Sequence, residues 1–295
     1  MSNRPGKSHS RPKRALLVGA LALIATAAPA QQVVRDVGFV GSEAARYDDA
    51  RDDYLVSNLG ERGPANADGF IARVAPDGTV RELRWIGEGL FDPLGIFLHR
   101  DRIYVADINA VRIFDRATGA PRGTVEVPGS IRLNDLAVAP DGNVYVTDSG
   151  SNEQPGALWR IDPRGRVSVF APRNPALERP NGIAVLPDGN IIHGGRGVNL
   201  VIRTPRGRIA RELTLPTGQF DGIVVLPDGQ LLVASQLGRN VYRVDLGTGA
   251  STAVVENIEV PAAIGLDTRR MRLLVPQIRA ATLSIYELGA AAPAR

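Results

Sequence analysis

From Leu133 to Gly150 the chain reads LNDLAVAPDGNVYVTDSG. Leu136, Val138, Val144 and Val146 alternate with smaller or polar residues, the period of a pleated strand. Between the two runs stands Pro140-Asp141-Gly142. Proline presets φ and glycine accepts φ above zero, so this is a turn between two strands. The same hairpin returns as PNGIAVLPDGNIIHGG over Pro180–Gly195 and as FDGIVVLPDGQLLVAS over Phe220–Ser235. Looser copies run over Glu43–Asn58, Pro93–Asn109 and Pro261–Pro276.

The residue that opens the inner strand of each copy is Glu43, Leu94, Asn134, Asn181, Asp221 or Ala262, at intervals of 51, 40, 47, 40 and 41 residues. A period of this length, made of short strands, predicts an all-β fold: a six-bladed β-propeller of four-stranded blades. Helical repeats of similar length need apolar residues at i, i+3 and i+4, and that pattern is missing. Outer-strand material follows each hairpin, for example Phe70–Val74 and Val80–Arg84 after the first. After the sixth only Thr282–Leu288 remains, one strand short. A strand over Val33–Val40 is predicted to fill that gap and close the ring.

The ends read differently. Arg4, Lys7, Arg11, Lys13 and Arg14 precede an apolar run, Ala15–Ala27, and then Ala28-Pro29-Ala30. That is the composition of a secretory signal peptide over residues 1–30. The propeller is expected over 31–290, with an Ala-rich tail at 291–295. Localisation in the periplasm or outside the cell follows, with no stable membrane insertion after cleavage.

Removing the leader changes the charge. The whole chain carries a formal +4, but the leader holds five cations and no acid, leaving 30 basic against 31 acidic residues. Nucleic acid is therefore not an expected partner. Cysteine is absent, which excludes disulfides, thiolate metal sites and thiol nucleophiles. Past the leader only His99 and His193 remain, too few for a three-His metal site. Gly194-Gly195-Arg196-Gly197 lacks the Lys-Ser/Thr of a phosphate loop.

In a propeller the opening residues of the inner strands converge at one mouth of the central channel. Four of the six here carry side-chain oxygens: Glu43, Asn134, Asn181 and Asp221. Hard oxygen donors of mixed charge suit one divalent metal ion, Ca²⁺ first, with Mg²⁺, Mn²⁺ or Zn²⁺ also accepted. Asn-Asp, Asn-Gly and Asp-Gly are also common turn dipeptides. The second strands end at Asn58, Asp107, Asp148, His193, Ser235 and Gln277, placed to line a pocket or to hold the ring residues. His193 reads as structural or pocket wall, and His99 as solvated at the far mouth.

These motifs resemble those of the senescence marker protein (regucalcin), gluconolactonase and luciferin-regenerating enzyme family, six-bladed propellers with a divalent metal in the channel. The family's metal-ligand pattern of a first-blade Glu, an Asn before Gly and an Asp before Gly matches Glu43 in SEAARYD, Asn181 in RPNG and Asp221 in FDG. The family's R-x-N-D segment, whose Arg and Asn face the substrate, matches Arg132-Leu133-Asn134-Asp135. Where the family has Pro-Val-Trp after the metal Glu, this chain has Ala44-Ala45-Arg46.

The resemblance implies a metal-dependent hydrolase of a lactone or related ester, a small-molecule substrate. The ion would polarise the carbonyl and activate water. Asp221 is the candidate proton acceptor, and Arg132 and Asn134 are candidates to hold the developing oxyanion or the substrate's polar groups. The alternative is a non-catalytic propeller of the NHL-repeat kind, a binding scaffold.

Overall fold

A computed structural model describes Met1, residues 31–61 and residues 65–288. The predicted leader after Met1 and the tail at 291–295 lie outside the described residues.

The chain starts its described run with β1 (Gln31–Val34), and six sheets of four antiparallel strands follow. Blade one is β2 (Ser42–Asp48), β3 (Asp53–Asn58), β4 (Phe70–Val74) and β5 (Val80–Ile86). Blade two is β6 (Pro93–His99), β7 (Arg102–Asp107), β8 (Ala110–Asp115) and β9 (Pro121–Glu126). Blade three is β10 (Leu133–Val138), β11 (Val144–Asp148), β12 (Ala157–Ile161) and β13 (Val167–Ala171). Blade four is β14 (Ile183–Val185), β15 (Ile191–His193), β16 (Asn199–Arg203) and β17 (Ile209–Thr214). Blade five is β18 (Phe220–Val225), β19 (Leu231–Ser235), β20 (Asn240–Val244) and β21 (Ser251–Val255). Blade six combines β22 (Gly265–Asp267), β23 (Arg272–Gln277) and β24 (Thr282–Glu287) with β1 as its outer strand.

The predicted propeller is therefore the observed fold, and it closes as expected with a strand from the N-terminal side. That strand is shorter than the sequence pattern suggests. Gln31–Val34 pairs with Tyr286–Leu283. Asp36 and Gly38 then take positive φ, 57° and 91°, which breaks an extended run. Residues 35–41 carry the chain from blade six to blade one instead.

The turns have a common cause. In each of the four Pro-Asp-Gly turns the Asp side chain accepts from the backbone two residues on. These bonds join Asp77 to Thr79, Asp141 to Asn143, Asp188 to Asn190 and Asp228 to Gln230, at 2.9–3.0 Å. The glycines sit at φ of 82–86°, a region open to glycine without steric penalty. Between blades the sheets pack through apolar faces, as where Leu55 and Ile71 meet Ile96, Val105 and Phe114. Among the described residues the only helical element is a 3₁₀ turn at Pro175–Leu177, capped by Asn174. Among the described residues no helix is long and apolar enough to cross a membrane.

Candidate metal and active site

Inner strands bend where the site residues stand. The pairing register shifts between Ser42 and Ala45, between Pro93 and Ile96, between Leu133 and Leu136, and between Phe220 and Ile223. Glu43, Leu94, Asn134 and Asp221 lie inside these bulges. A bulge frees a residue from the ladder and re-aims its side chain, here toward the channel.

The glycines that follow two of the opening residues serve a different need from a turn. A Cβ on Gly182 would lie 1.7 Å from the Asp221 carbonyl oxygen, and one on Gly222 would lie 2.2 Å from the Ile264 nitrogen. Neither glycine has positive φ. They are there because neighbouring inner strands approach too closely for a side chain. Asn-Gly and Asp-Gly thus mark the crowded axis of the ring and are not turn dipeptides.

Hydroxyl groups staple the strands together. Ser57 Oγ accepts from the Ala44 N–H at 2.9 Å and donates to the Leu94 carbonyl at 2.8 Å, joining blades one and two. Thr147 Oγ accepts from the Asp135 N–H at 2.9 Å and donates to the Asn181 carbonyl at 2.6 Å, joining blades three and four. Ser149 Oγ donates to the Pro180 carbonyl at 2.8 Å and accepts from Asn134 Nδ2 at 3.0 Å.

These contacts orient the amides. Asn134 spends its NH₂ on Ser149, and Asn181 donates its own to Asp221 Oδ2 at 3.2 Å. Gln236 donates to the same Asp221 oxygen at 2.6 Å. What remains is one unpartnered buried oxygen on each of four residues: Glu43 Oε2, Asn134 Oδ1, Asn181 Oδ1 and Asp221 Oδ1. An unsatisfied buried acceptor costs about 1–3 kcal/mol, so four on the predicted ring need a compensating partner. A hard divalent cation is such a partner, and the donor chemistry fits it. Among the described residues no three His, Asp or Glu side chains form a metal-holding group. The candidate set has two carboxylates and two amides.

The electrostatics point the same way. Burial pushes the Glu43 carboxyl well above the ordinary carboxylate range. Asp221 and Asp135 add to the rise, and Arg46 and Arg132 oppose it. Burial and then Asp135 raise Asp221 to about 7, against the hydrogen bonds from Asn181 and Gln236. Three acids crowd one buried space, an arrangement that a cation relieves.

Arg46 and Asp135, which the sequence motifs contain but give no role, form the next layer of the channel. Arg46 Nη1 donates to the carbonyls of Ala45, Ala263 and Ile264, and Nη2 reaches Asp135 Oδ1 at 3.3 Å. Beyond it, at the opposite mouth, a cavity of about 510 Å³ has Phe97, Leu98, Val138, Ile223 and Leu266 in its walls. None of the four ring residues lines it. The ring's own mouth is a smaller cavity of about 170 Å³, lined by Arg132, Asn134, Ser149, Arg179, Asn181, Arg196, Gln219 and Gln236 among others.

Arg132 stands on this rim and pairs with Asp92 at 2.9 Å. The ends of the second strands act as supports. Asp148 accepts from the N–H groups of Ile131 and Arg132 at 3.1 and 2.9 Å, holding the entry to the Asn134 strand. Asp107 does the same for Phe91 and Asp92. His193 is buried and accepts from Arg203 Nε at 2.9 Å, a structural contact. His99 is half-buried rather than solvated, because it is the last residue of β6.

A six-bladed propeller with four buried, unpartnered side-chain oxygens near the openings of its inner strands is the class that fold and site define. Residues 67–275 match the model of the SMP-30/Gluconolactonase/LRE-like region, and the chain belongs to that family. Among solved structures it is similar to a structural-genomics target with a provisional gluconolactonase assignment, at 18% identity. That likeness covers 88% of this chain and 93% of the other, with a TM-score of 0.69. A gluconolactonase from Xanthomonas campestris is similar at 20% identity, 88% and 89% coverage and a TM-score of 0.68. Virginiamycin B lyase from Staphylococcus aureus shares the fold at 16% identity, 88% and 99% coverage and a TM-score of 0.60. No curated protein matches the chain significantly.

Proposed function

We propose that this protein is a metal-dependent hydrolase of a lactone or related ester, working at the ring mouth of the channel. The observation that carries the reading is the set of four buried, unpartnered oxygens on Glu43, Asn134, Asn181 and Asp221. These residues would hold one divalent ion, Ca²⁺ by preference. Bound there, the ion supplies carbonyl polarisation and a lowered pKa for water.

The chain's own residues do the rest. Asp221, a channel carboxylate beside the ion site, takes a proton from the attacking water. Gln236 and Asn181 hold its Oδ2, so Oδ1 stays in the channel. Arg132, anchored by Asp92, receives the substrate's acyl oxygen or a neighbouring polar group. Family membership and the likeness to a gluconolactonase support a lactone as the substrate class. The basic, then apolar, then small-residue leader supports export to the periplasm or beyond.

Calorimetric titration with Ca²⁺, followed by a pH-stat assay over a panel of lactones and esters, tests the reading. Metal binding with turnover of at least one lactone supports it. A wild type that binds no divalent ion refutes it and leaves a binding scaffold.

A further inference from the structure

Three guanidinium groups surround the mouth of the channel. Arg132, Arg179 and Arg196 all line the 170 Å³ cavity that also holds Asn134 and Asn181, and among the described residues no carboxylate lines it. Arg179 also borders two adjoining cavities, of about 340 and 560 Å³. It stands where three openings meet.

Few of the nearby carboxylates pair directly with these guanidinium groups. Arg132 has Asp92. Arg179 Nη1 donates to the neutral Asn152 Oδ1 at 2.9 Å. Arg196 is exposed, and among the described residues its guanidinium has no hydrogen-bond or ion-pair partner. Glu153 and Glu178 line the 560 Å³ cavity with Arg179 and Arg196. Neither forms an ion pair with those arginines among the described residues, and neither borders the inner cavity.

Like charges gathered in a partly desolvated cleft repel one another and focus a positive field into it. Burial first, and then Arg196 and Arg132, pull Arg179 below its ordinary range. An oxyanion entering the cleft removes that repulsion. Guanidinium groups match carboxylate and phosphate oxygens with paired, charge-assisted hydrogen bonds.

We propose that the substrate is anionic: a small lactone or ester with a carboxylate or phosphate near its acyl carbon, held by Arg179 and Arg196 beside Arg132. This rests on the hydrolase reading and adds the charge class of the substrate. The cavity has room for a single small ring with short substituents. In the reaction, water adds to the acyl carbon and the ring C–O bond breaks. One proton of the water goes to the former ring oxygen, and the other is released from the new carboxylic acid. The product therefore carries one more negative charge than the substrate, and the same arginines hold it.

Two measurements test this. In the first, glutarate and inorganic phosphate are titrated into the wild type, Arg179→Gln/Arg196→Gln and Arg179→Lys/Arg196→Lys. Binding should weaken about tenfold or more in the glutamine variant, be partly kept in the lysine variant, and weaken with added salt. Matching thermal melts show that the variants are folded. In the second, initial rates of the metal-loaded enzyme are compared on one γ-lactone with and without a ring carboxylate. The preference for the carboxylated form, as a ratio of kcat/KM, should fall about tenfold in the glutamine variant, mainly through KM.

If anions bind as expected but neither lactone turns over, the anion site stands and the hydrolase reading fails. Equal anion binding by the wild type and the glutamine variant overturns the proposal. So does a wild type that hydrolyses the neutral lactone as well as its carboxylated counterpart.

Discussion

Arg46 and Asp135 meet inside the channel at 3.3 Å, though they lie 89 residues apart in sequence. The Asp135 side chain is fully buried and that of Arg46 nearly so. Removing one partner of a buried pair leaves a charge without compensation, at a cost of about 3–5 kcal/mol. Arg46→Met should therefore destabilise the protein by about that much in urea unfolding. The double variant Arg46→Met/Asp135→Asn should recover some of the loss, because both charges are then gone. A double variant no better than the single one would show that Arg46 acts through its three carbonyl contacts and not through Asp135.

The metal reading of the four unpartnered ring oxygens predicts a stability that depends on divalent cation. An ion bound only by the folded protein, at a hundredfold excess over its Kd, contributes about 2.7 kcal/mol. Chelation should lower the melting temperature by roughly 5–10 °C for a chain of this size. Asp221→Asn keeps the shape and loses a ligand charge. It should weaken calorimetric Ca²⁺ affinity and nearly abolish turnover. A chelator-insensitive melt would count against the metal site.

Thr147→Val is nearly isosteric but removes one staple between blades three and four. The buried Asp135 N–H and Asn181 carbonyl would each lose a partner, about 1–3 kcal/mol for each unsatisfied group. Because Asn181 is a candidate ligand, Ca²⁺ affinity should fall together with stability. A drop in stability with unchanged affinity would separate the staple from the site.

Burial, reinforced by the neighbouring Arg203, lowers His193 from 6.5 to about 3. In the unfolded chain it protonates near its ordinary value. Between those two values the unfolded state binds the extra proton, so stability falls as pH falls through that window and is fully present above it. Denaturation midpoints measured from pH 7 to 4 should drop less steeply in His193→Gln, whose side-chain oxygen can still accept from Arg203. Equal slopes would mean that His193 protonates as readily in the folded protein.

Deleting residues up to Val34 removes the outer strand of blade six. Gln31 also donates to Ser284 Oγ and the Tyr286 hydroxyl, at 3.3 and 3.0 Å. The edge of β24 would be bare, and bare edges pair with other chains. A lower melting temperature and concentration-dependent association in light scattering are expected. A monomer with an unchanged melt would show that β1 is dispensable.

The blades are legible in the sequence because their turns repeat. Pro-Asp-Gly recurs with one geometry, and the apolar alternation on either side sets the register. The positions of Glu43, Asn134, Asn181 and Asp221 follow from that register alone. Whatever depends on contacts between blades is hidden. Arg46 sits inside β2 and meets its partner from blade three, so no local pattern announces it. The Ser57 and Thr147 staples likewise join different repeats. Arg179 and Arg196 belong to connecting segments outside the strands, where periodicity carries no information. The strand β1 is shorter than expected because the apolar residues of Val33–Val40 suggest one extended run, whereas Asp36 and Gly38 within it take positive φ.

The way β1 joins β24 also sets how the ring yields to force. Gln31 lies opposite Tyr286 and Val34 opposite Leu283, so both chain ends leave the pair at the same edge. Tension across the two ends would load the Gln31–Tyr286 contact first and reach Gln32–Ile285 only after it breaks. The bonds would break in succession, as a zipper opens, rather than together in shear. Blades one to five are each built from consecutive strands, so this peeling leaves their ladders intact. Opening at this seam would therefore begin locally, in blade six, before any other blade loses a strand pair.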